Sequence, residues 1–338
     1  MLLTDPANIF YFTGFRGSAG VAYVEGPEAV LWVDPRYTLQ AREQARGIEV
    51  VEVRTGLIRF AGRWLRRGGR QRVGYEDGHL SCRDFLQLRQ EAGKTVTWVA
   101  EGKIGRALRA VKDEEEIQTI RRACAITSKV YEEVLPRVRP GVKELDVAAE
   151  IEYRMKREGA EAPAFETIVA SGSRTALPHA RPSSKLLENG DLVILDLGAI
   201  LCGYASDLTR TLYLGRPERR IRRLFQAVQA AQLKAIQGAE PGVEARRVDM
   251  CARRVLAERH LDKFFTHSTG HGVGIEIHED PRIAKLERTK LRAGHVITVE
   301  PGVYLEGVGG VRIEDTLLVT PRGQEILTGA SKDSWILE

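Results

Sequence analysis

The sequence predicts an α+β domain over residues 106–338, preceded by a smaller α/β domain over residues 1–105. Three observations carry this. Short apolar runs alternate with helical stretches as far as about residue 105. A long amphipathic segment with an acidic start follows at once. Beyond it a Pro-Gly-Val triplet occurs twice, each time ahead of a helical stretch and then a strand hairpin. With 338 residues, 43% of them hydrophobic and 29% charged, the chain can bury a substantial core in two domains.

In the first domain the apolar runs are Val21 to Val24, Ala29 to Val33, Val50 to Val53 and Val96 to Val99. Lys112-Asp113-Glu114-Glu115-Glu116 then opens a helix ending near Pro136, its acids at the positive end of the helix dipole. Pro140-Gly141-Val142 and Pro241-Gly242-Val243 mark two copies of a helix-and-hairpin unit. Two such copies pack about a pseudo-twofold axis, so both hairpins are expected to face one pocket.

Composition excludes several classes. No apolar stretch approaches the roughly 20 residues of a membrane helix, and the start lacks a charged segment followed by an apolar block. A cytoplasmic protein with no membrane partner is expected. Cys82, Cys124, Cys202 and Cys251 form no C-x-x-C pair, which signals neither a zinc knuckle nor a disulfide framework. The net charge is +5, but the basic clusters at Arg63 to Arg72 and Arg219 to Arg223 lie beside apolar residues at helical spacing. They read as solvated helix faces, and no nucleic-acid partner is expected.

The chemistry lies in the hairpins. Leu192 to Gly198 is apolar on both faces, as a fully covered strand is, yet it contains Asp196. A turn centred between Leu201 and Cys202 sets Asp196 opposite Asp207, and a turn centred on Gly307 sets Glu300 opposite Glu314. Like charges opposed on a sheet repel, and burying them costs several kcal/mol per ion unless something positive lies between. Arg312, two positions from Glu314 on the same face, can pair with it, whereas Arg210, three positions from Asp207, points away. One arginine cannot neutralise four acids, so the pattern calls for cations.

Thr266 to Gly274 delivers His267 and His271 on a glycine-rich stretch, and His278 follows. Four carboxylates and one imidazole suit Mn²⁺, Co²⁺, Fe²⁺ or Zn²⁺, and two ions are implied. A serine nucleophile at Ser171, Ser173 or Ser268 lacks the G-x-S-x-G elbow and leaves the acids unexplained.

These residues resemble the pita-bread metallopeptidases, and within them aminopeptidase P and prolidase. Asp5-Pro6-Ala7-Asn8-Ile9, Thr13-Gly14-Phe15 and Gly17-Ser18-Ala19-Gly20 resemble the family's creatinase-type N-terminal domain. In the family a helix and strand usually precede that first motif, so this domain is expected to be shortened at its start. The resemblance implies a pita-bread catalytic domain with Asp196, Asp207, His271, Glu300 and Glu314 as metal ligands. It also implies that His179, His267, His278, Tyr304 and Arg312 bind substrate and stabilise charge.

On the same resemblance the chain is expected to be a homodimeric aminopeptidase holding two divalent ions, manganese foremost. It would cut short peptides whose second residue is proline, by a hydroxide bridging the ions. Asp207 and Glu314 would bridge, Asp196 would chelate one ion, and His271 with Glu300 would complete the other. Glu300 is expected to pass a proton from the water to the leaving nitrogen, and His278 and His179 to hydrogen-bond the carbonyl or oxyanion. The alternative is an Xaa-Pro dipeptidase, or prolidase, which must grip the substrate's free carboxylate, with Arg282, Arg288 or Arg292 as candidates. A non-catalytic binding module of the same fold is disfavoured by the complete ligand set.

Overall fold

A computed structural model describes residues 1–337 of the chain. The backbone divides between Arg109 and Ala110 into two compact units. Residue 105, the boundary expected from sequence, lies inside the helix Gly102–Ala110.

The sheet of the first unit runs, in spatial order, Glu49–Glu52, Glu28–Val33, Gly20–Glu25, Leu2–Leu3, Arg72–Tyr75 and Thr97–Ala100. Leu2 pairs antiparallel with Tyr23 and parallel with Tyr75, in a central strand too short to show a period in the sequence. Successive side chains face opposite sides of a strand. Leu2, Tyr23, Val30 and Trp32 therefore pack with Leu65 and Leu88, while Leu3, Ala22, Leu31 and Val33 pack with Ile9 and Phe15. The Asp-Pro-Ala-Asn motif has a structural role here. Asp5 caps the helix Pro6–Thr13 by accepting from the Ala7 amide at 3.0 Å, and the Asn8 amide group donates to buried Glu76.

In the second unit Asp113 and Glu116 form a reciprocal capping box that starts the helix Glu114–Val134. The repeat read from sequence is present in the backbone. Gly141 and Gly242 share a φ of 86°, and their amides donate to the carbonyls of Leu187 at 2.9 Å and Leu291 at 2.8 Å. Those leucines donate back to Val142 and Val243, both at 2.8 Å, and the helices Glu144–Arg157 and Ala245–Ala257 follow.

Each copy packs its own helix pair on its own strands. Val130, Val134, Val147 and Ile151 meet Val193, Leu195, Leu208 and Leu212 in one core. Phe225, Val228, Val248 and Leu256 share the other with Ile297, Val299, Val311 and Leu317. Each such side chain contributes about 1.5–3 kcal/mol on burial.

The register of the first hairpin corrects the sequence expectation. The strand Leu192–Leu197 pairs with Leu208–Leu214 so that Asp196 faces Thr209, not Asp207. The cause is the turn. Leu201 pairs with Tyr204, leaving Cys202-Gly203 as a two-residue loop with φ of 49° and 79°, the type I′ geometry whose twist suits a hairpin. The turn thus sits one residue later than expected. Asp207 remains on the face of Thr209, two positions away, so the two aspartates are diagonal neighbours.

The second hairpin keeps the expected register: Val299 pairs with Asp315, Gly302 with Arg312, and Leu305 with Gly309 around Gly307. Its ladder is interrupted between these pairs. The Glu300 amide donates to Thr269 O at 2.7 Å and the Glu314 amide to Thr209 O at 3.1 Å, so neither glutamate belongs to a strand. The hairpins are joined by threonines: Thr316 Oγ1 donates to Asp207 O and Thr211 Oγ1 to Arg312 O, both at 2.8 Å. Among the described residues no helix is long and apolar enough to cross a membrane.

Candidate metal centre

The interruption of the second ladder and the bond from Glu314 to Thr209 bring both hairpins to one point. Ligand atoms of Asp207, His271 and Glu314 lie within 4.8 Å of one another, all three residues being buried. His271 Nε2 stands 3.7 Å from Asp207 Oδ2 and 3.4 Å from Glu300 Oε1. Its Nδ1 lies 3.0 Å from the carbonyl of Gly272, which accepts an Nδ1 proton and leaves Nε2 free to ligate.

Arg312 is aimed at Asp196, with Nη2 at 2.6 Å from Oδ2, and not at Glu314. The two-residue alternation that favoured Glu314 fails because the strand Gly309–Arg312 ends before it. Arg312 also donates to Tyr304 OH at 2.8 Å, Thr209 Oγ1 at 3.2 Å and Pro178 O at 3.1 Å. Tyr304 OH lies 2.9 Å from His267 Nε2, which makes a chain of contacts from Asp196 to His267. The His278 ring meets His271 edge-on at 4.3 Å, and the charge of His179 bears on both His267 and His278. Asp196, Asp207, His267, His271, His278, Glu300, Tyr304, Arg312 and Glu314 are thus linked by short contacts around one site. Arg210 does point away, pairing with Asp315 at 2.8 Å.

Thr209 was not singled out, although it lies two positions from Asp207 on the same face. Its Oγ1 donates to Glu314 Oε2 at 2.6 Å, and its backbone carbonyl holds Glu314 in place. Only the corrected register reveals it.

The site fits divalent ions. Among the described residues, Asp196 Oδ1 and Glu314 Oε1 are buried without a hydrogen-bond partner, a costly state for carboxylate oxygens unless a cation faces them. Burial, reinforced by Asp196, pushes the Glu314 carboxyl up to about 8. Burial with Glu314 as neighbour holds Asp207 and Glu300 well above the usual carboxylate range. His271 is driven down to about 4 by burial and His278, so it is neutral and ready to ligate at neutral pH.

These shifts have a testable sign. Folded, metal-free Glu314 keeps a proton up to about pH 8 that the unfolded chain releases near 4.5, so stability falls as pH rises across that interval. His267, His271 and His295, held at about 4 by burial, act oppositely, but their penalty is gone above the ordinary value of 6.5. Chelated protein is therefore expected to lose thermal stability between pH 6.5 and 8 and to regain it on adding Mn²⁺. A melting temperature that stays level over that range without metal would contradict a protonated buried cluster.

Buried acids from two pseudo-repeated hairpins, joined by a neutral imidazole in a pita-bread domain, define a metal-dependent hydrolase centre. Residues 118–321 match metallopeptidase family M24 and residues 1–111 match the creatinase/prolidase N-terminal domain. The chain belongs to metallopeptidase family M24. It is 39% identical to the Xaa-Pro dipeptidase of Pyrococcus furiosus, over 98% of this chain and 94% of that one. Among solved structures it superposes on an Xaa-Pro dipeptidase from Bacillus anthracis with a TM-score of 0.95, at 37% identity over 99% and 94% of the two chains. An X-Pro aminopeptidase from Thermotoga maritima gives a TM-score of 0.91 at 35% identity, over 98% and 94%.

Proposed function

We propose that the chain is a dinuclear-metal Xaa-Pro dipeptidase. The observation that carries the metal chemistry is the pair of buried carboxylate oxygens with no hydrogen-bond partner among the described residues, Asp196 Oδ1 and Glu314 Oε1. The dipeptide preference rests on full-length likeness to proteins named Xaa-Pro dipeptidase. That likeness favours it over the longer-peptide aminopeptidase expected from sequence, a reading the Thermotoga match still supports.

Asp196, Asp207, His271, Glu300 and Glu314 would hold two divalent ions, with manganese the proposed metal. Bound ions would supply Lewis acidity and lower the pKa of water from about 15.7 towards neutrality. The chain's own groups do the rest. Glu300, 3.4 Å from His271, takes the proton of the attacking water and carries it to the leaving nitrogen. That delivery is needed because an amide nitrogen leaves as an amine only once it is protonated. His278 and His179 are proposed to donate to the carbonyl oxygen as charge develops, and Arg312, which bonds Asp196 and Tyr304, to hold them in orientation. A homodimer belongs to the proposal and is checked by light scattering.

Of the three candidate arginines, Arg282 is the one whose charge bears on His278 and His271, while Arg292 bears on His295. Arg282 is proposed to grip the free carboxylate of a dipeptide. Chelated protein restored with Mn²⁺ is expected to cleave Ala-Pro in preference to Ala-Pro-Ala and to leave Ala-Ala-Ala intact. Arg282→Met is expected to raise KM for Ala-Pro by about 10–100-fold, the worth of a charge-assisted hydrogen bond. Its effect on Ala-Pro-Ala should be several-fold smaller. Preferred cleavage of the tripeptide would return the assignment to an aminopeptidase, and silence on both proline peptides would overturn the proline reading.

A further inference from the structure

The segment between Ser171 and Ser183 carries His179 and is tied down by one carboxylate remote from the acid cluster. Glu144, the first residue of its helix, has no solvent exposure. Its Oε1 accepts from the Ser171 amide at 2.7 Å and Ser171 Oγ at 2.8 Å. Its Oε2 accepts from the Ser183 amide at 3.0 Å and Ser183 Oγ at 2.7 Å. Arg174, inside the loop, donates from Nε to Oε2 at 3.1 Å and from Nη2 to Arg181 O at 2.5 Å. One buried side chain thus closes both ends of the loop and grips its middle.

Two further contacts fix the tip. The Gly310 amide donates to Thr175 Oγ1 at 2.8 Å, and a Cβ on Gly310 would lie 2.2 Å from Thr175 O, so only glycine permits this approach. Arg312 reaches Pro178 O, the residue before His179, at 3.1 Å.

The second repeat contains a comparable device on the other histidine segment. Asp249, also unexposed, accepts from Thr269 Oγ1 at 2.9 Å and from Arg253 Nε at 2.7 Å. Arg253 in turn donates to Phe265 O at 3.0 Å and His267 O at 2.6 Å. A buried acid on the repeat's helix, an arginine and a hydroxyl residue hold a histidine-bearing segment in both halves.

We infer that Glu144 is a positioning residue for the peptidase reaction: it closes the base of the Ser171–Ser183 loop and thereby sets where His179 meets the substrate. This rests on the proposed role of His179 in the Xaa-Pro reading. Replacing Glu144 by Gln keeps the shape but puts an amide donor against donors, so one end of the loop is released. A displacement of about 1 Å at a catalytic contact can cost about 10²-fold.

The test combines hydrogen exchange with a double-mutant cycle on metal-loaded, full-length protein. In Glu144→Gln, amide exchange over residues 172–182 is expected to accelerate by at least about 10-fold while the strand Leu192–Leu197 stays protected. The kcat/KM for Ala-Pro is expected to fall by about 10–100-fold, and by less than about 3-fold when His179 is already Ala. Ser183→Ala, which removes one hydroxyl donor, should show both effects more weakly and carries the cycle if Glu144→Gln does not fold. Unchanged loop exchange, or an equal loss with and without His179, would overturn the inference. Faster loop exchange in a protein whose wild type cleaves no proline peptide would uphold the clamp and refute the Xaa-Pro reading.

Discussion

Asp207→Asn is expected to abolish peptidase activity while making the metal-free protein more stable. Asp207 is buried, burial and the charges of Glu314, Asp196 and Glu300 all disfavour its ionised form, and among the described residues no side chain donates it a hydrogen bond. Without metal, the fold must either bury that charge or hold a proton on the carboxylate, each at a cost. A neutral amide removes that cost, and relief of even ~1 kcal/mol raises Tm by about 2–4 °C in a domain of 150–250 residues. With metal present, loss of Asp207 as a proposed metal ligand is expected to forfeit several kcal/mol of transition-state stabilisation, or at least about 10³-fold in kcat. Calorimetry of chelated protein and turnover of reloaded protein read the two effects separately. A variant that is both active and no more stable would show that Asp207 neither bridges ions nor crowds its neighbours.

Arg312→Leu is expected to act in the opposite sense on stability. Arg312 is nearly unexposed and serves Asp196, Tyr304, Thr209 and Pro178 at once. Asp196 Oδ1 already lacks a partner, so losing Arg312 leaves the whole carboxylate buried and alone. Removing one member of a buried pair generally costs about 3–5 kcal/mol. That loss should appear in full in chelated protein and shrink when ions compensate Asp196. Equal destabilisation with and without metal would mean that Asp196 faces no ion.

Residue chemistry and order were legible in the sequence; contacts set by turn geometry or by distant segments were not. An aspartate inside an apolar strand, a second acid shortly after it and a repeat of the pattern mark Asp196, Asp207, Glu300 and Glu314 without any alignment. The Pro-Gly-Val triplets announced a repeat that the backbone bonds of Gly141 and Gly242 reproduce. The first register was misplaced because the positive φ of Cys202, rare outside glycine, is invisible to a count of residues. Arg312 was assigned its neighbour Glu314 because sequence shows only local alternation, whereas its partner Asp196 lies 116 positions away. Leu2–Leu3 is central to its sheet but too short for any period. Glu144 carries no sequence signal, because its partners Ser171 and Ser183 lie 27 and 39 positions away.

The division of the acids between two repeats has a consequence during synthesis. Asp196 and Asp207 leave the ribosome well before Glu314, which follows Thr209, its hydrogen-bond partner, by 105 positions. At roughly 5–20 residues per second this gap lasts on the order of 5–20 s. During it the nascent chain gains His271 and then Glu300 but still lacks Glu314, the carboxylate that takes the hydroxyl of Thr209. A polypeptide that stops short of Glu314 lacks one of the three side chains whose ligand atoms lie within 4.8 Å of one another. On the proposed ligand set, cation binding would report that the domain has been made through to Glu314.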